Sequence, residues 1–246
     1  MLPRPQGRRR TRSPPRGSRA RKGHHRWPLQ DRPRSFPPPS PRASDSQVSG
    51  GCKPRDLHLF SGPSSRQDGI SATFARIGWT CDDIDTVNSG SPQGLTNDLY
   101  SDTLWMLLQS RISSGWYDAV VAGPPCSTFS RARGYGGGPR PLRSADSPYG
   151  IPKHLLTTKE QLSLAEGNWL AISTANLLAL AHAHKVSWIY ETPEPVEEVA
   201  SMLHLREFAS LASLPGVTRK ILTSACSGPL PQNPRPSCPS GLICRR

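Results

Sequence analysis

Tyr117-Asp118-Ala119-Val120-Val121-Ala122-Gly123-Pro124-Pro125-Cys126-Ser127-Thr128-Phe129-Ser130 joins a short apolar run to a turn that carries a cysteine. A compact apolar run bounded by turn residues reads as a fully buried strand. A side chain on the loop just past such a strand lies outside its carboxyl end, where open α/β sheets keep their ligands and chemistry. Pro124 and Pro125 fix φ twice along the approach, so the thiol is held and not left mobile.

Similar punctuation recurs on both sides of this stretch. Leu57-His58-Leu59-Phe60 reads as a buried strand ended by Ser61-Gly62-Pro63. A helix is predicted from Asp68 through Ile77, with Ile70, Phe74 and Ile77 on one face and Gly78 as its stop. Thr80 to Ile84 reads as a second strand with Asp82, Asp83 and Asp85 near its end, and Leu95 to Asp98 as a weak third. Asp102 suits the cap of a helix through Leu104, Leu107, Leu108 and Ile112. After the fourth strand, at Tyr117–Ala122, a loop runs to about Thr157; a stretch of that length predicts a lid or an insertion. Thr158-Lys159-Glu160-Gln161 fits a capping box opening a helix to about His184, with a break expected at Gly167. Val186 to Tyr190 reads as a fifth strand, Val196 to Leu214 as helical, and Val217 to Thr223 as a sixth strand. This alternation predicts an α/β fold: a Rossmann-like, mostly parallel sheet with helices on both faces, spanning residues 56–225.

The chain has 246 residues and a formal net charge of +13, unevenly placed. Residues 1–56 carry 15 Lys and Arg against 3 Asp, whereas 57–246 carry 16 against 15 Asp and Glu. Residues 1–55, rich in Pro, Arg and Ser, have too few apolar side chains to offset the entropy of ordering, so they read as a disordered basic tail. Such a tail suits a nuclear import signal, a non-specific nucleic-acid arm, an organelle transit peptide or a solvated segment without a partner; nucleus is the expected location. Residues 226–246 read as an irregular Pro-rich tail. No run of about eighteen apolar residues marks a membrane span. Six scattered cysteines without a CxxC pair read as free thiols, and no metal site is expected.

In a parallel sheet the strand ends converge on one edge. Here that edge would gather Phe60-Ser61-Gly62, Asp83 with Asp85, Asp98, Pro125-Cys126 and Glu191. The set resembles the cytosine-5 DNA methyltransferase family, as a divergent or truncated member, over about residues 56–195. Leu59-Phe60-Ser61-Gly62 resembles its first motif, Asp83-Ile84-Asp85 its second, Asn97-Asp98-Leu99 its third, Gly123-Pro124-Pro125-Cys126-Ser127-Thr128-Phe129-Ser130 its fourth and Ile189-Tyr190-Glu191-Thr192-Pro193 its sixth. His58, Pro63 and Thr192 depart from the family's usual Asp, Gly and Asn, and no target-recognition region is visible.

The resemblance implies a class I methyltransferase sheet that binds S-adenosylmethionine. Phe60, Ser61, Gly62 and Pro124 would hold the cofactor, Asp83 its ribose and Asp98 its adenine. Cys126 and Glu191 would be catalytic. Ser130, Arg131 and Arg133 would meet nucleic acid, DNA before RNA, with Arg140 and Arg143 on the same loop, and a partner chain would supply target recognition. The chemistry asks for these residue types: a thiolate adding to cytosine carbon six makes carbon five nucleophilic, and a nearby acid stabilises the adduct. Two rivals stand beside this reading. One is an inactive relic, of mobile-element origin, that binds nucleic acid or a partner. The other is a methyltransferase acting on an exocyclic amine, in which the cysteine is idle.

Overall fold

The computed structural model describes residues 53–88, 95–130, 133, 138–193, 195, 199–222 and 240–245. Among the described residues are six strands and four α-helices: β1 Arg55–Leu59, α1 Ile70–Arg76, β2 Thr80–Ile84, α2 Asp102–Ser113, β3 Ala119–Ala122, α3 Thr158–Ala183, β4 Ser187–Pro193, α4 Arg206–Ala212, β5 Val217–Leu222 and β6 Ser240–Arg245, with 3₁₀ turns at Lys153–Leu155 and Met202–His204. The sheet order is β2-β1-β3-β4-β6-β5. β2, β1, β3 and β4 form a parallel block, and β6 runs antiparallel between β4 and β5. This α/β architecture is compatible with a Rossmann-like fold. Among the described residues no helix is long and apolar enough to cross a membrane.

The parallel register puts Leu57 beside Val120 and Trp188, and His58 beside Asp83, Val121 and Ile189. Alternate side chains therefore build two different faces. The first is apolar: Leu57, Leu59, Val120, Ala122, Trp188 and Tyr190 are buried with Leu104, Leu108 and Ile112 of α2, Leu170, Leu177 and Leu178 of α3, and Phe208 and Leu211 of α4. The opposite face carries Asp56, His58, Cys81 and Asp83 towards α1, where Ser71 bonds His58 and Asp83 and its carbonyl accepts from the Cys81 thiol. Helices thus lie on both faces, but unequally.

The expected apolar face of α1 is absent. Ile70 and Ile77 are 40% and 65% exposed, and only Phe74 finds a partner, stacked on Trp79 at 5.0 Å. The polar sheet face beneath α1 is the cause: it offers hydrogen-bond partners to Ser71 and little apolar surface to the rest. On α2, Ser101 is the N-cap and Asp102 the first helical residue; Trp105 takes the buried place expected of Leu107, its indole N–H bonding the Leu99 carbonyl. The box that opens α3 is Thr157 with Glu160, one residue earlier than the spacing predicts. The helix continues unbroken through Gly167.

Two expectations for the sheet are corrected. Leu95–Asp98 is not a strand; Leu95 and Leu99 instead sink into the core from an irregular segment. Residues 240–245, within the expected irregular tail, form β6, and it is β6 that attaches β5 to the sheet. The long loop is no free lid where it is described. Leu142, Leu156 and Leu164 make a second small core under Ile151, and Gly150 at φ 129 packs so closely on Leu164 that a Cβ there would stand 2.7 Å from Cδ1. The expectations for residues 1–52, for 196–198 in the expected helical stretch, for Thr223 and for 226–239 of the expected tail lie outside the described residues.

Asp56 is fully buried and neither carboxylate oxygen has a hydrogen-bond partner. Burial, helped by the nearby Asp83 and Asp82, pushes this carboxyl up to about 8. A group that holds its proton more tightly when folded stabilises the fold at low pH and loses that contribution as pH rises. Between the ordinary carboxylate range and about 8, stability should therefore fall with rising pH. Asp56→Asn, which removes the titration, should raise stability at pH 8 by a few kcal/mol more than at pH 4, on the order of what a shift of several units carries. Urea denaturation at the two pH values measures this.

Candidate active site

Beyond Leu59 the chain turns at once. Phe60 takes φ 60, a left-handed conformation that costs a non-glycine residue on the order of 1–3 kcal/mol. Gly62 follows at φ 69 with nothing within 4 Å of where its Cβ would stand. Strain of this kind persists only where neighbours hold it, and here the end of β2 does so. The Phe60 N–H donates to the Ile84 carbonyl at 2.8 Å, and the Gly62 N–H donates to Asp85 Oδ2 at 2.9 Å. Asn88 accepts from the Ser64 N–H at 2.9 Å and donates to the Gly62 carbonyl at 3.1 Å and Ser61 Oγ at 3.3 Å. Asn97 then donates to the Asn88 carbonyl at 2.8 Å. Asp85 and Asn88 therefore shape the glycine turn from below and leave its outer side open.

A polar cleft separates this turn from the start of α1, lined by His58, Ser61, Ser64, Gly69, Ser71 and Asp83. Ser71 donates to Asp83 Oδ1 and lies 2.7 Å from His58 Nδ1. Because the Ser71 proton is committed to Asp83, His58 must donate from Nδ1, which assigns that tautomer from the network. Burial holds His58 below its ordinary range, while Asp83, Asp85 and Glu191 pull the other way. His58 is thus the satisfied buried residue that its apolar setting predicts.

The thiol-bearing turn lies between the ends of β1 and β4. The Gly123 N–H reaches the Leu59 carbonyl at 3.4 Å, and a Cβ on Gly123 would stand 4.0 Å from Glu191 Cβ. Pro124 is buried and Pro125 exposed. Cys126 is half-buried against the main core, beside Tyr190, whose hydroxyl meets Met202 Sδ at 2.9 Å. The Phe129 N–H closes the turn on the Cys126 carbonyl at 2.8 Å, with Thr128 and Phe129 both 4% exposed.

What clamps this turn is an arginine. The Arg143 guanidinium lies 3.8 Å from the Phe129 ring centroid and donates to Thr128 Oγ1 at 3.0 Å, Asn168 Oδ1 at 2.6 Å and the Pro148 carbonyl at 2.6 Å. Gly167 makes room for the arrangement: a Cβ there would stand 2.7 Å from Thr128 Oγ1 and 3.1 Å from an Arg143 nitrogen. The glycine that reads as a helix break is a point of close approach between α3 and the turn.

Phe60, Ser61, Gly62, Pro124, Cys126 and Glu191 all fall at the carboxyl ends of β1, β3 and β4, with Glu191 exposed. Asp83 lies one layer lower, its carboxylate taken by Ser71 and near His58 at 3.7 Å. Asp98 is exposed on an irregular segment and accepts from the Tyr100 N–H at 3.1 Å. Ser130 is half-buried at the end of the thiol turn. Arg131 lies outside the described residues. Arg133 donates to the Ser127 carbonyl at 2.7 Å. The grouping of loop arginines as phosphate contacts is corrected at two positions: Arg143 is buried, and Arg140 is held by Glu160 at 2.8 Å. Asn88, Ser71 and Asn168 escape a reading by motif, because each acts on a partner distant in sequence; Asp85-x-x-Asn88 is a local hint.

No family model matches the chain, and no curated protein matches it.

Gly167→Ala sets two effects against each other. Alanine gains about 1 kcal/mol of helix propensity, while overpacking a tight site costs about 1–3 kcal/mol. The contact at 2.7 Å falls on a turn that is itself clamped, so the variant should lose stability in urea denaturation and show faster alkylation of Cys126. A more stable variant would contradict the clamp.

Proposed function

We propose that the chain is an S-adenosylmethionine-dependent methyltransferase of the cytosine-5 type, acting on DNA through Cys126 with Glu191 assisting. The observation that carries this reading is the adjacency of three strand ends. The strained glycine turn after β1, the thiol turn after β3 and the carboxylate of β4 sit side by side, joined by the Gly123–Leu59 hydrogen bond and the approach of Gly123 to Glu191. The motif resemblance supplies the names for these parts.

The residues fit a cofactor at the glycine turn, where Gly62 leaves open space and Ser61 lines a polar cleft. Phe60, Ser61 and Gly62 would hold it there. S-adenosylmethionine would supply an electrophilic methyl group. The chain's own part begins with the Cys126 thiolate bonding cytosine carbon six, which shifts a ring electron pair towards carbon five. The Glu191 carboxyl group hydrogen-bonds the ring nitrogen and the exocyclic amine and so stabilises the adduct. After methylation the carbon-five proton passes to solvent water, which returns the electron pair to the ring, breaks the carbon–sulfur bond and frees the thiolate. The target base must leave its stack to reach Cys126. Arg133 and the +12 balance of residues 1–56 suit a polyanion, and the basic tail suits the nucleus.

A second reading, an inactive relic, draws on Asp83 and Asp98. The first has its carboxylate engaged by Ser71, and the second stands on no strand.

A duplex containing 5-fluorocytosine separates the two. With S-adenosylmethionine present, the wild-type chain should form an adduct that survives denaturing electrophoresis, and Cys126→Ser should form none. Glu191→Gln should slow trapping by about 10²-fold or more, the usual reach of general acid catalysis. Cofactor binding without any adduct would establish the relic, and an adduct with Cys126→Ser would remove Cys126 from its role.

A further inference from the structure

The cleft between the glycine turn and α1 has room for about 10 Å³, the space of a single water molecule. Nothing larger enters it until one wall moves. The wall formed by the glycine turn is pinned: Phe60 and Gly62 bond Ile84 and Asp85, and Asn88 holds Ser61, Gly62 and Ser64. The opposite wall is held far more lightly. No residue of α1 is buried, and its N-cap, Gly69, offers no side-chain cap. Residues 63–68 before the helix and 75–78 at its end are exposed. The Arg66–Asp68 ion pair and the bonds of Thr73 to Gly69 and Arg76 stay within the segment. Phe74 stacks only on Trp79, five residues along the same stretch of chain. Among the described residues, the hydrogen bonds that tie 65–78 to the sheet are all made by Ser71. Its hydroxyl donates to Asp83 Oδ1 and accepts from His58 Nδ1 at 2.7 Å, and its carbonyl accepts from the Cys81 thiol at 3.5 Å.

We propose that residues 65–78 are a movable wall latched by Ser71. The Ser71 hydroxyl stands in for a ligand hydroxyl on Asp83, and the cleft admits its ligand only after Ser71 releases that carboxylate. The identity of the ligand, a nucleoside whose ribose carries the hydroxyl, rests on the methyltransferase reading; the latch itself does not. The exchange at Asp83 is chemically even, because one hydroxyl–carboxylate bond replaces another. What opposes binding is the opening of the wall, so the apparent dissociation constant is the intrinsic one divided by the open fraction. Ser71 is then a positioning residue that sets this fraction. The engagement of Asp83 by Ser71, which also suits an inactive relic, is on this account the closed state of a site that opens.

Hydrogen exchange of the full-length chain, read by mass spectrometry, measures the opening, and calorimetry with S-adenosylhomocysteine measures the affinity. In the wild type, amides of 70–77 should exchange at least about tenfold faster than those of α2, which is anchored in the core by Leu104, Leu108 and Ile112. Ser71→Ala removes two hydrogen bonds and should speed exchange in 70–77 by a further factor of about ten, much more than in α2. It should tighten S-adenosylhomocysteine binding by the same factor. Ser71→Thr, which keeps the hydroxyl, should stay close to the wild type in both measurements. Exchange in 70–77 as slow as in α2, or indifferent to Ser71→Ala, overturns the proposal. So does measurable binding that Ser71→Ala fails to tighten. Ser71-dependent exchange in a chain that binds S-adenosylhomocysteine in neither form keeps the latch and sinks the cofactor reading. Binding without Ser71-dependent exchange does the reverse.

Discussion

The close approach of α3 to the thiol turn is the constraint on which the site depends. Position 167 has room for a hydrogen only, and through that gap Arg143 reaches Thr128 and Phe129 from behind. Without it the turn would be held by the Gly123–Leu59 and Cys126–Phe129 backbone bonds and the Arg133 contact to Ser127. The helix that supplies the wall is also the longest among the described residues, 26 residues with eight buried, one of them, Leu164, in the small second core. The same packing that builds the core therefore fixes the turn, and the turn's geometry is as rigid as the core itself.

The two sheet faces solve different problems. The face under α2, α3 and α4 is ordinary close-packed hydrocarbon. The face under α1 is a lattice of carboxyl, imidazole and hydroxyl groups, in which Ser71 serves Asp83 and His58 together while Asp56 stays unpartnered. Polar networks of this kind are costly unless satisfied, and this one is satisfied at its upper end and not at its lower. The upper end borders the cleft beside the glycine turn. The unsatisfied end lies at the foot of β1, away from that cleft.

Much of the sheet was legible because strand and loop residues obey local rules. Thr80–Ile84 and Val217–Leu222 follow from β-branched content and flanking turns, and the strand ends at Gly62 and Cys126 follow from glycine and proline. Leu95–Asp98 misled because a leucine before turn residues resembles a strand, whereas here Leu95 and Leu99 are plugs filling the core from outside the sheet. β6 was illegible because Ser-Gly-Leu-Ile-Cys-Arg has little periodicity of its own and gains its conformation from pairing with β4 and β5. The stripe on α1 misled because helical spacing reports which residues share a side and not what that side meets. Arg143 read as a phosphate contact because charge is a surface signal until a tertiary partner such as Phe129 is known.

The insertion of β6 between β4 and β5 orders events in time. Among the described residues β5 pairs with β6 alone, so residues 217–222 await residues 240–245 before they join this sheet. The parallel block, complete by residue 193, can condense while the nascent chain is still growing. During that interval β4 presents a bare edge, whose unpaired amides and carbonyls invite another chain. The segment that closes the edge thus emerges well after the strand it covers, and any delay in its synthesis lengthens the period in which the newborn protein is sticky.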